Sequence, residues 1–260
     1  MQLLKTRTRQ RAVPRGPVVI PAERLKPVTL INGERLSQSE FHRRYESYPD
    51  DLKFELVKGV VYMASPMRRE HGAYHGELSY ALKHYSAATP GTDLLDNSTA
   101  ILDDDSEPQP DLSLRILPEC GGHSTVNDKG YVTGPPELVA EIAHSSRDLD
   151  LFEKREDYQR TGVLEYVVLC VEERELHWFH FPSDERIRPG REGISRSREF
   201  PGLWIDVAAL LDQDTKRLRV AVDRGLARRE HAAFLRRMEA TRRKNSEASQ
   251  VVRQTPRRTS

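Results

Sequence analysis

The chain has 260 residues, 37% hydrophobic and 31% charged, with a formal net charge of +1. That is enough apolar material for one domain of about 150–200 residues with polar extensions. No apolar run approaches the roughly 18 residues that cross a bilayer, and Cys120 and Cys170 make neither a disulfide framework nor a zinc site, so the expected setting is a reducing cytoplasm.

Charge is unevenly spread. Residues 1–26 hold seven Lys/Arg against one acid, and residues 216–260 fourteen against four, which leaves an acidic body. Two readings stay open: cationic arms that hold a polyanion near the body, or solvated tails that fold against it. Residues 1–28 are rich in Arg and Pro without an apolar period and read as a disordered basic arm. Met1 to Arg15 lacks the apolar segment of a secretory signal.

Ser37 followed by Glu40 is a capping box, and it predicts a helix running to about Ser47. Phe54–Val57 and Val60–Met63 flank Lys58-Gly59, a hairpin pattern. From Arg69 to about Ala88, Tyr74, Leu78, Ala81, Leu82 and Tyr85 recur at helical spacing. Short strands are expected at 94–95 and 99–102, an acidic loop over 103–110, a strand at 112–117 and a long polar loop over 118–135. A strand follows at 138–143, then a helix opened by Ser145-Ser146 and closed before Gly162. Strands are expected at 165–171 and 175–181, a short apolar helix or strand end at 203–211, and a helix carrying Leu226 to Met238. The last dozen residues read as disordered. The domain layout is therefore a basic arm (1–28), a body (29–212) and a basic helix with a tail (213–260). The order predicts an α/β fold, a mixed sheet with helices on both faces.

Three acids and one lysine stand at the ends of these elements or inside them. Asp111 precedes an apolar strand, Glu141 lies within another, Glu55 is in the hairpin, and Lys154 is on the helix before Gly162. Burying such carboxylates is costly unless a cation meets them, and a divalent metal is a usual partner. Each residue also has a structural reading. Asp111 could start a turn, Glu141 could pair with Lys154, and Glu55 and Lys154 could face solvent. His71 and His75 lie one turn apart, but Gly72 follows the first, so the zinc-protease pattern is missing. His71 could contact substrate or phosphate, and His144 could support Glu141. Asp103-Asp104-Asp105 lacks the spacing of a calcium loop. Tyr158 and Tyr166 read as core.

The segments Phe54–Gly59, Gln109–Leu112, Glu141–Ser146 and Lys154…Tyr158…Thr161–Tyr166 occur in an order that resembles the Uma family of restriction-endonuclease-like proteins, within the PD-(D/E)XK nuclease superfamily. The resemblance covers roughly residues 37–212. It implies a restriction-endonuclease-like core and Mg²⁺-dependent hydrolysis of nucleic acid, DNA by expectation, with Mn²⁺ as a substitute. It implies that Asp111 and Glu141 bind the metal, that Glu55 completes the site, and that Lys154 steadies the phosphate or its attacking water. It also implies a homodimer. The superfamily lysine normally lies two residues after the second acid, where this chain has Ala143, and Lys154 takes that role from the next helix. Val167 and Cys170 also stand where an aromatic residue and an acid would be usual. The alternative is a nuclease fold without turnover that holds nucleic acid through its basic ends.

Overall fold

In the computed structural model, residues 29–49 and 52–254 are described; the basic arm expected over 1–28 lies outside them. Ser37 caps α1 (Gln38–Tyr45) by accepting from the Glu40 amide. The reciprocal half of the capping box is not made, because the Glu40 carboxylate turns to Arg43 and Arg44, each at 2.7 Å. The hairpin of β1 (Phe54–Val57) and β2 (Val60–Met63) turns where expected. Lys58 and Gly59 both take positive φ, 51° and 74°, which matches the twist of the two strands. Leu30, Phe41, Phe54, Leu56 and Val61 form a small core under α1 and this hairpin.

The main sheet has six strands in the order β11-β10-β9-β8-β5-β3, namely Glu185–Arg186, Glu175–His180, Glu165–Cys170, Leu138–Ala143, Leu112–Ile116 and Thr92–Asp96. Only β8 and β9 run parallel. A parallel pair needs a crossover, and it consists of α3 (Arg147–Leu149), a π-helical turn over Asp150–Lys154, and α4 (Arg155–Thr161). Gly162 ends it in the left-handed conformation. The polar stretch 118–135 carries β6 (Thr125–Val126) and β7 (Val132–Thr133), which join β4 (Ala100–Ile101) in a small second sheet.

Strand alternation sorts β8 between two cores. Leu138, Ala140 and Ile142 face α2 (Arg69–Ala87), whereas Val139 and Ala143 face Leu151 and Tyr158 of the crossover. Glu141 shares the parity of the second set. The stretch expected as a helix or strand end is both: β13 (Trp204–Asp206), paired with β12 (Ile194–Arg196), runs directly into α5 (Val207–Leu211). The C-terminal region forms two helices, α6 (Thr215–Leu226) and α7 (Arg229–Gln254). Their Leu218, Val222, Phe234 and Met238 belong to the same core as α2 and the sheet, so no boundary between cores falls at 213. The helix continues to Gln254, into the dozen residues expected to be disordered.

Candidate active site

The four residues singled out in the sequence meet at one point. The Lys154 ammonium lies 2.7 Å from Glu55 Oε2 and 3.0 Å from Glu141 Oε1. Asp111 and Glu141 are tied through neighbouring main-chain amides. Asp111 Oδ2 accepts from the Ile142 amide at 2.7 Å, and Glu141 Oε2 accepts from the Asp111 amide at 3.3 Å. This works because β5 and β8 are antiparallel neighbours paired Leu112 to Ala140. Asp111, one residue before β5, therefore lies beside Glu141.

Glu55 arrives from a separate sheet. Leu56 and Glu107 exchange two backbone hydrogen bonds, which dock the hairpin onto the acidic loop, and the Gln109 amide donates to Glu55 Oε1 at 2.8 Å. Lys154 is delivered by the π turn. A wide turn inserts one extra residue into a helix, and such turns often stand at functional sites. His71, in the first turn of α2, places Nε2 3.2 Å from Asp111 Oδ2, and His75 stacks on it with ring centroids 6.1 Å apart. His71 Nδ1 is buried without a hydrogen-bond partner.

Two members are additional to the sequence-derived set. Asp150 Oδ1 lies 3.7 Å from Lys154, and the Tyr158 hydroxyl donates to Glu141 Oε1 at 2.8 Å. Positions 150, 154 and 158 are four apart, a spacing that puts side chains on one helical face. That pattern could have found them. Tyr158 is a core residue as expected, yet its hydroxyl serves the site. His144 does not support Glu141. Its Nδ1 faces Glu172 instead, at 3.5 Å, since it lies beyond the end of β8. Asp103 and Asp105 form ion pairs with Arg160, in keeping with a structural turn.

Lys154, Glu141 and Asp150 are more than nine-tenths buried, and the carboxylates of Glu55 and Asp111 stand beside them slightly more exposed. Burial pushes the Glu141 carboxyl well above the usual range; Lys154 opposes this, and Asp111, Asp150 and Glu55 add to it. Burial likewise lifts Asp150 to about 6. For Lys154 burial works against the charge, but Glu141, Glu55 and Asp150 outweigh it and hold the ammonium well above its usual value. These directions pull Glu141 and Lys154 apart, and the geometry decides between them. Lys154, Tyr158 and the Asp111 amide all present donors to Glu141, the surroundings of a carboxylate. Burial also raises Asp111, but the hydrogen bond and charge of His71 overcome it and leave that carboxyl below its usual value.

The site therefore carries more negative than positive charge, and its acidic donors are all oxygens. That set fits a hard divalent cation, which takes one or two carboxylates and keeps several waters. Among the described residues no group of three or more His, Cys, Asp or Glu forms a ready-made metal cage.

A family model described as "Putative restriction endonuclease", Uma2, matches residues 39–208. The chain belongs to this family. A solved structure described as a putative nuclease belonging to DUF820, from Anabaena variabilis, is similar in fold. The TM-score is 0.55 at 14% identity, over 68% of this chain and 98% of that one. No curated protein matches. The six-stranded mixed sheet flanked by helices is thus a nuclease-like fold, as the ordered segments led one to expect. Among the described residues no helix is long and apolar enough to cross a membrane.

Proposed function

We propose that this family member is a metal-dependent endonuclease that hydrolyses DNA phosphodiester bonds, with Asp111 and Glu141 holding Mg²⁺ or Mn²⁺. The supporting observation is the convergence of Glu55, Asp111 and Glu141, from three separate strands or loops, around one buried lysine. When bound, such a cation lowers the pKa of a coordinated water and offsets the charge that gathers on the phosphate.

The chain's own groups supply the rest. The Lys154 ammonium is a fixed positive charge that can meet a phosphate oxygen, and Glu55 keeps it in place. Tyr158 fixes the carboxylate plane of Glu141. His71 holds Asp111 Oδ2 on the side facing α2.

The test is nicking of supercoiled plasmid by purified protein with Mg²⁺. The wild type should nick, EDTA should stop it, and Asp111→Asn should lower the rate by at least ~100-fold. Asn keeps an acceptor for the Ile142 amide, so loss of activity would not reflect loss of fold. Equal nicking by Asp111→Asn would overturn the assignment. Metal-independent binding without nicking would favour a nuclease fold that only holds nucleic acid.

A further inference from the structure

We infer that a cleft around Trp204, remote from the carboxylate cluster, is a second nucleic-acid contact that takes phosphates of the duplex; the choice of ligand rests on the nuclease reading above. The cleft encloses about 710 Å³ and is lined by Arg196, Gly202, Trp204, Arg228 and Arg229. Its floor is rigid. A Cβ on Gly225 would stand 2.1 Å from the Gly202 carbonyl oxygen and 2.9 Å from the Trp204 ring, so the turn before β13 touches α6 main chain to main chain beside the indole.

Cations crowd this ring. The guanidinium carbons of Arg196, Arg228 and Arg224 lie 4.3, 4.9 and 6.0 Å from its centroid. The face of an indole attracts each of them, but they repel one another. Glu192 answers Arg224 at 2.8 Å and Arg196 at 4.0 Å. Arg228 and Arg229 form no ion pair with a carboxylate among the described residues. Glu230 is the one acid on the lining, against the three arginines Arg196, Arg228 and Arg229. The first turn of the 26-residue α7 opens at the same place and adds amide donors and a positive helix end. Planar guanidiniums with spare donors match the oxygens of a phosphate two at a time.

The position suits a flanking contact. The Tyr85 hydroxyl donates to the carbonyl of Pro201, on the cleft wall, while His71 at the other end of α2 touches Asp111. Fourteen residues of helix separate His71 and Tyr85, about 21 Å at 1.5 Å per residue. That distance matches about six base pairs of a duplex at 3.4 Å each.

The test measures binding of a labelled duplex of about 20 base pairs in EDTA, so that turnover plays no part, across about 50–200 mM salt. Arg228→Gln/Arg229→Gln alters exposed side chains that lack carboxylate partners, so the fold should survive. The slope of log affinity against log salt should fall by about 2, equally for unrelated sequences. Trp204 emission should respond to the duplex in the wild type and respond less in Arg196→Gln. An unchanged slope would overturn the proposal. So would a Trp204 response to polyglutamate but not to DNA, which would mark the cleft as a site for an acidic protein. If the slope falls while plasmid nicking is absent, the cleft stands and the catalytic reading falls. If nicking persists with an unchanged slope, the cleft alone is lost.

Discussion

Lys154 decides how much the carboxylate cluster costs the fold. It is 5% exposed and bonded to Glu55 and Glu141, with Asp150 nearby. Removing one partner of a buried ionic group leaves the other charges uncompensated, typically at about 3–5 kcal/mol. Lys154→Met should therefore lower unfolding stability by about that much in urea titration near neutral pH. Part of the loss should return on acidification. Without the opposing ammonium, burial leaves Glu141 and Asp150 binding protons more tightly folded than unfolded. Such groups favour the folded chain below their unfolded pKa, and that contribution drains away as pH rises through the folded value. A variant as stable as the wild type at neutral pH would mean that the ammonium is not needed to hold the acids together. Glu165 shows that a buried acid need not belong to such a cluster. It receives Trp178 Nε1, the Ser197 hydroxyl and the amides of Arg198 and Glu199, and it serves to tie β9 to the following segments.

At the scale of elements, the π turn sets the direction of Lys154. Phe152 lies within it and is 58% exposed, so its loss removes little from the core. Deleting Phe152 should restore regular helical pitch and swing the preceding residues by about 100° relative to Lys154. Plasmid nicking should then drop on the order of 100-fold while the far-UV circular dichroism stays folded. Retained nicking would show that the wide turn does not position the site. A second element-scale effect lies where α7 begins. His231 Nδ1 is 3.1 Å from the Leu226 carbonyl oxygen and Nε2 is 3.0 Å from the Thr89 hydroxyl, and burial lowers its pKa from the ordinary 6.5. The unfolded chain then takes up a proton at higher pH than the folded one. The resulting stability is complete above 6.5 and is lost as pH falls from there through the folded value. His231→Gln cannot titrate, so its urea midpoint should fall less than the wild type's between about pH 7.5 and about pH 5.5. A parallel decline in both proteins would count against it.

These elements also mark how far the sequence could be read. Ser37, Lys58-Gly59 and Gly162 act through their nearest neighbours, and each does what its local chemistry dictates. Glu141 and Asp111 were legible because charge inside or beside an apolar run is conspicuous; Glu55, in the hairpin, and Lys154, in a charged helix, were picked out by the family resemblance. The π turn was not, because an extra residue in a helix leaves no mark in a period of 3.6. Nor were the short strands β11 to β13, whose pairing cannot be read from two or three residues each. Val167 illustrates the same limit. The aromatic residue expected there stands across the sheet instead, as Trp178, which pairs directly with Val167.

At the scale of the whole molecule, two layers of helix enclose the sheet, and the C-terminal pair is part of that enclosure. Phe234 and Met238 of α7 are 2% and 3% exposed within the main core. Each such side chain contributes roughly 1.5–3 kcal/mol by leaving water, a large share of a typical stability of about 5–15 kcal/mol. The basic segment is therefore structural along one face and free to meet a polyanion along the other.

The two thiols stand at different depths in this arrangement. Cys170 lies in the middle of the sheet at 0% exposure, and burial lifts its thiol to about 11. Cys120 sits at the rim, beside Gly91 and near Met238 on the inner side of α7. A cysteine-specific dye should thus keep two clocks. Cys120 should react whenever the last helix lifts away, and Cys170 only when the sheet itself comes apart. Two distinct labelling rates, read by mass spectrometry, would time those events separately; a single shared rate would mean that helix and sheet let go together.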